Sequence, residues 1–119
     1  MNGIPQPGDI FYADIGGEED HRVIIISRES LNRGNYVLVV PVTSKRFEER
    51  RHNPHCVAFW ADQFGFTCNC VAQAEGTTLL ETNVLDFNRG IQGQLDGAAL
   101  RNVIKAIGFV ICADCEPLV

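Results

Sequence analysis

A small curled β-barrel closed by one C-terminal helix is the fold class that this chain of 119 residues predicts, and three observations predict it. Short apolar or alternating runs, each bounded by Gly, Pro, Asn or Asp, recur from Pro7 to about Phe87, which is the pattern of several short strands. Only one stretch, "QLDGAALRNVIKAIGFVI", carries apolar residues at helical spacing, and it comes last. The length suits a single domain with one modest core, and no repeat, linker or low-complexity tract divides residues 1–119.

The elements follow in order. "PGDIFYADI" alternates, with Ile10 and Tyr12 on one face and Phe11, Ala13 and Ile15 on the other. After the polar turn "GGEED", the run "RVIIIS" is continuously β-branched, as suits a strand buried on both faces. "LNRGN" supplies turn residues, and "YVLVVPVTS" is the third strand, where Pro41 cannot donate to a ladder and marks an edge, a bulge or the end of pairing. Beyond the charged loop "KRFEERRHNP", strands are expected in "HCVAFW", "NCVAQAE" and "GTTLLETNVLDF". Asp96 is a good N-cap for a helix over residues 97–111, with Leu100, Ile104 and Ile107 expected to pack it down. Gly108 weakens that helix by about 1 kcal/mol relative to Ala. Closure into a barrel protects the strand edges.

Composition narrows the function classes. Ten Lys and Arg against fifteen Asp and Glu leave a net charge of −5, which disfavours generic nucleic-acid binding unless a local basic patch supplies the phosphate contacts. "SKRFEERRH" carries Lys45, Arg46, Arg50 and Arg51, partly offset by Glu48 and Glu49. No segment approaches the roughly 18 consecutive apolar residues of a membrane span, and the start lacks the basic and apolar regions of a signal peptide, so a cytoplasmic protein without membrane association is expected.

Two sets of residues have candidate chemistry. "HRVIIIS" places His21 and Arg22 at the mouth of an apolar strand, where Arg22 is either a solvated flanking charge or a catalytic group. Thr43 and Ser44, at the end of the Pro41-bearing strand, either cap a turn or present hydroxyls to a site. The five cysteines (Cys56, Cys68, Cys70, Cys112 and Cys115) leave one over in any full pairing. With His52 and His55 they could form a zinc site, but C-x-C and a single C-x-x-C do not make two matched ligand pairs. Cys56, Cys68 and Cys70 are read as packing residues, a disulfide or a metal stays open for Cys112 and Cys115, and all five are expected to be reduced and metal-free.

"PGDIFYADI", "HRVIIIS", "LNRGNYVLVVPVTSK", "VAQAE" and "IQGQLDGAALRNVIKAI" occur together in the order and spacing that resembles the MazF/PemK toxin family, over almost the whole chain. The resemblance implies an SH3-like barrel that forms a homodimer, cleaves single-stranded RNA selectively without a metal or other cofactor, and is restrained by a cognate antitoxin protein. It implies cleavage by attack of the ribose 2′-hydroxyl on the adjacent phosphate, with Arg22, Thr43 and Glu75 as the catalytic residues. His21, Ser44, Lys45 and Gln73 are the substrate-binding residues it implies. The chain departs from the family pattern at Val23, where Pro is usual, at Gln73, where some members carry Arg, and in the short acidic loop "GGEED".

Three functions of different class are compatible with this reading. The first is an endoribonuclease toxin. The second is an SH3-like binding module of the same family that has lost catalysis, and the third is a small metal-binding protein using Cys and His. Incubation with unstructured RNA separates the first two, and metal analysis isolates the third.

Overall fold

The computed structural model describes residues 3–16 and 21–112, and in it the alternation read from the sequence becomes a curled antiparallel sheet. Its strands are β1 (Asp9–Ala13), β2 (His21–Ile25), β3 (Tyr36–Thr43), β4 (Cys56–Phe59), β5 (Cys70–Gln73), β6 (Thr78–Glu81) and β7 (Gly93–Gln94). Two short helices, α1 (Glu29–Asn32) and α2 (Phe47–Arg50), interrupt the connections, and α3 (Gly97–Val110) comes last. The order across the sheet is β4-β5-β3-β2-β1-β7, with β6 also pairing β3. The fold is mainly β with a C-terminal helix, as expected, but α1, α2 and the two-residue β7 were not read from the sequence.

The continuous β-branched run of β2 is explained by burial on both sides. Ile24 faces one apolar cluster with Ile10, Val40, Phe59, Phe66, Leu95, Ala99 and Val103. Its neighbours Val23 and Ile25 face a second cluster with Phe11, Ala13, Val37, Val39 and Leu85. Successive strand residues point to opposite faces, so two cores require apolar residues at every position rather than at every second one. Helix α3 covers the first cluster.

Pro41 lies within β3, not at its end: β2 pairs with β3 from Ile25↔Val39 to Arg22↔Val42, passing Val23↔Pro41. On its other edge β3 pairs with β6 from Tyr36 to Val39 and with β5 at Val42 and Thr43. Pro41 thus occupies the gap where one neighbour gives way to the other, a position that needs no N–H for either. Pairing with β6 does stop short of Pro41, while the strand itself continues and delivers Thr43 to the sheet end.

Asp96 caps α3, its side chain accepting from the Ala99 N–H at 2.8 Å. The packing face is rotated from the one expected. Ala99, Val103 and Ala106 are buried, Leu100 and Ile107 pack at the edge of the core, and Ile104 is 49% exposed. The sequence reading counted large apolar residues, whereas two of the three buried positions on α3 are alanines. Cys112 is disulfide-bonded, which corrects the expectation of five reduced thiols; Cys56, Cys68 and Cys70 are free, and Cys115 lies outside the described residues. Among the described residues, no helix is long and apolar enough to cross a membrane.

The loop leading to Phe66 crosses β7 at backbone contact. A Cβ on Gly93 would lie 1.7 Å from the Phe64 carbonyl oxygen, and one on Gly65, where φ is +88°, would lie 2.1 Å from that of Gln92. Neither clash can be relieved by a side chain moving aside. Gly93→Ala is therefore expected to lower stability by about 3 kcal/mol or more in urea unfolding. Gly34→Ala, with only a 3.4 Å contact to meet, should change it by less than about 1 kcal/mol.

Candidate functional site

Where β2 emerges from the core, its first two residues meet the end of β3. His21, Arg22, Val42, Thr43, Ser44 and Lys45 line a cavity of about 320 Å³, together with Tyr12, Thr67, Cys68 and Cys70. Five of the seven site residues expected from the sequence are thus brought together. Gln73 and Glu75 are not. Val71 stands opposite Thr43, so Glu75 lies four residues further along, on the order of 10 Å away at strand rise.

Arg22 is half-buried, and its Nη2 donates to the Tyr12 hydroxyl and to Thr67 Oγ1, each at 3.1 Å. Tyr12 stands directly across the β1–β2 ladder, which makes the first contact a cross-strand pair. The guanidinium also lies 5.3 Å from the Tyr12 ring centroid and 5.9 Å from that of Phe66, where aromatic quadrupoles favour a cation. These partners hold the group without neutralising it. Arg33, Arg46, Arg51 and Arg89 each pair with a carboxylate of Glu29, Glu49, Glu48 and Asp86 respectively, whereas Arg22 makes no ion pair among the described residues. Its Nε and Nη1 make no hydrogen bond there either. An anchored, uncompensated guanidinium with donors in reserve at a cavity is suited to an anion, and its planar fork suits two oxygens of a phosphate.

Thr43 Oγ1 accepts from the Lys45 N–H at 3.2 Å, which turns the chain after β3 and leaves the hydroxyl proton to be donated elsewhere. His21 Nε2 lies 3.2 Å from the Gly16 carbonyl oxygen. A carbonyl only accepts, so Nε2 carries a hydrogen and donates it to Gly16. Ser44 and Lys45 are exposed at the rim. The expected basic loop contributes less: Arg46 and Arg51 are engaged by Glu49 and Glu48, and Arg51 lies 5.7 Å over the Trp60 ring.

Two cysteines complete the cavity. Cys70 is buried, and burial pushes its thiol up to about 12, helped by the nearby Cys68 and opposed by Arg22. Cys68 is exposed. Sequence reading missed Tyr12, Thr67, Cys68 and Cys70 as cavity residues. Tyr12 was foreseeable, as the polar-tipped residue opposite Arg22; Thr67 and the cysteines arrive from a loop whose path no local pattern dictates.

Glu75 belongs to a second group at the far end of β5. Its Oε2 lies 2.7 Å from His55 Nδ1, and its Oε1 accepts from Gln73 Nε2 at 3.2 Å. Cys56 Sγ is 3.9 Å from the same His55 nitrogen. Burial raises the Cys56 thiol first, the Glu75 charge adds to this, and Arg50 opposes it.

A curled antiparallel sheet with a C-terminal helix and an arginine-bearing cavity at the mouth of its second strand defines a small, mainly β protein. Residues 6–111 match the family described as PemK-like, MazF-like toxin of type II toxin-antitoxin system, and the chain belongs to that family. No curated protein sequence matches it. Among solved structures it is similar to an endoribonuclease in complex with its cognate antitoxin from a mycobacterial species (22% identity, TM-score 0.73, covering 95% of this chain and 99% of that one). It is also similar to Mycobacterium tuberculosis toxin MazF-mt6 (20% identity, TM-score 0.71, 92% and 99% covered). The MazF of a MazE-MazF structure from Deinococcus radiodurans is a third (16%, 0.72, 92% and 97%).

Alkylation reads out the two cavity thiols. Between pH 7 and 9 iodoacetamide should label Cys68 well before Cys70, as mapped by peptide mass spectrometry, because the Cys70 thiolate is scarce until the pH nears 12. The same shift predicts that stability falls as pH rises from 9 toward 12. The unfolded thiol gives up its proton near 9.0, the folded one holds it to about 12, and deprotonation therefore favours the unfolded chain across that window.

Proposed function

We propose that the protein is a metal-independent endoribonuclease toxin that cleaves single-stranded RNA with sequence selectivity in the Arg22 cavity. Its partners in this reading are a cognate antitoxin and a second copy of the chain. The observation that carries the reading is the Arg22 guanidinium, fixed by the neutral hydroxyls of Tyr12 and Thr67 and without a carboxylate partner among the described residues, in one cavity with Thr43 and His21. Family membership and the similarity to solved endoribonuclease and MazF structures support it.

In the proposed reaction, the 2′-oxygen attacks the adjacent phosphorus and the bond to the 5′-oxygen breaks. The leaving 5′-oxygen takes up a proton from solvent water at the open side of the cavity, so the products are a 2′,3′-cyclic phosphate and a 5′-hydroxyl. Nδ1 of His21 takes the 2′-hydroxyl proton, a role we give to it rather than to Glu75 because His21 lines the cavity and Glu75 does not. Arg22 and the Thr43 hydroxyl donate to the phosphate oxygens and stabilise the charge that develops on the phosphorane. Ser44 and Lys45, at the rim, contact flanking phosphates, and Gln73 would meet only the more distant part of a bound strand.

Losing one preorganised donor of this kind costs on the order of 3 kcal/mol, so Arg22→Ala should lower cleavage by about two orders of magnitude with the fold retained. Arg22→Lys should restore little, since an ammonium lacks the planar fork. His21→Gln should lower kcat with little effect on RNA binding. A substrate with deoxyribose at the cleavage position should bind and survive. Full activity of Arg22→Ala, or cleavage of the deoxy substrate, would contradict the reading. RNA binding without any cleavage by the folded wild type would favour a catalytically silent binding module. Sedimentation at micromolar concentration is expected to show a dimer.

A further inference from the structure

The group at the far end of β5 lies outside the cavity in which cleavage is proposed, and its composition calls for an explanation. His55 and Cys56 stand where β4 begins, directly opposite the end of β5: Cys56 pairs with Gln73 in the ladder, and the Ala74 N–H donates to the His55 carbonyl at 2.9 Å. Glu75 follows at once in the turn after β5. Sheet pairing therefore fixes three side chains of different elements side by side. His55 Nδ1, Cys56 Sγ and a Glu75 carboxylate oxygen all lie within 4.8 Å of one another.

We propose that His55, Cys56 and Glu75 form a binding site for a divalent cation of the zinc class. Nitrogen, sulfur and oxygen donors in one cluster are the ligand set that zinc accepts. In a tetrahedral zinc site, donors at the usual bond lengths stand about 3.3 to 3.6 Å apart. The Nδ1 to Oε2 distance of 2.7 Å would have to open by about 0.6 to 0.9 Å, the Sγ to Nδ1 distance of 3.9 Å to close by about 0.3 to 0.6 Å, and Sγ and the carboxylate oxygen, within 4.8 Å of each other, to draw together by up to about 1.2 Å. Changes of that size are within reach of side-chain rotation. The metal would replace the proton shared by His55 and Glu75 together with that of the Cys56 thiol. The surroundings suit this exchange. Gln73 Nε2 holds the second Glu75 oxygen at 3.2 Å and so orients the carboxylate from outside. Arg50 favours the Cys56 thiolate. The thiol is buried while His55 and Glu75 are 35% and 40% exposed, so the ion has an entry path and a fourth position open to water. Exchangeable, three-ligand coordination of this kind fits a site that responds to metal supply rather than one needed for folding.

Spectroscopy with cobalt(II) tests the proposal on untagged full-length protein, since cobalt(II) reports its own coordination. Titration should give one equivalent of bound cobalt with a thiolate-to-metal charge-transfer band, displaced by zinc(II). Cys56→Ser should abolish the band. Glu75→Gln and His55→Ala should weaken binding at least tenfold, and Gln73→Ala about tenfold. Cys68→Ser should leave band and affinity unchanged. Because Cys56 is buried and its substitution puts folding at risk, the surface variant Glu75→Gln, checked by circular dichroism, carries the test independently. Absence of cobalt or zinc binding by folded wild type would overturn the proposal. So would a charge-transfer band lost in Cys68→Ser, or wild-type affinity in Glu75→Gln.

Discussion

The pairing of β3 is the constraint on which the rest of the molecule depends. One edge of β3 is held by β2, from Val39 to Val42, while the other edge is divided between β6 and β5. The change of neighbour at Pro41 allows the sheet to curl without leaving a buried N–H unpaired, because proline has none. Gly76 meets the proline ring so closely that a Cβ there would lie 2.7 Å from Pro41 Cγ. The switch point is therefore packed as well as paired. Thr43 reaches the cavity because β3 continues past Pro41, paired with β2 as far as Val42 and with β5 at Val42 and Thr43.

Curling creates two cores, and the two cores explain the charge at the cavity. The β2 run must be apolar at every position from Val23 to Ile25, so the first polar side chain that its antiparallel path can present is that of Arg22. Desolvating a charge is costly unless it is well supported. Among the described residues the support comes from hydroxyls and ring faces rather than from a carboxylate. The outcome is a fixed positive charge in an otherwise acidic chain, placed where an anionic ligand can complete its coordination. Exposed pairs such as Arg46–Glu49 are different in kind, since solvent screens them and the charges cancel locally.

Local pattern made much of this legible. The alternation of "DIFYA", the unbroken "RVIII" and the Asp96 cap correspond to β1, β2 and the start of α3. Resemblance added Arg22 and Thr43 to one site, which periodicity could not do. Three features were out of reach for physical reasons. The buried face of α3 carries Ala99 and Ala106 beside Val103, and a count of Leu and Ile does not register alanines. The Phe66–Cys70 segment enters the cavity through a glycine-dependent backbone crossing, a tertiary contact with no local signature. Glu75 has the right residue type for proton transfer, but its sheet position gives it His55 and Cys56 as neighbours.

The central claim is that Arg22 and Thr43 together receive the scissile phosphate. A crystal structure with a short RNA carrying one deoxyribose at the cleavage position tests it most directly. The account predicts that phosphate in the cavity lined by Tyr12, Arg22 and Thr43, with its oxygens within hydrogen-bond distance of the Arg22 guanidinium and the Thr43 hydroxyl. A scissile phosphate seated elsewhere, with Arg22 still bound only to Tyr12 and Thr67, would contradict it.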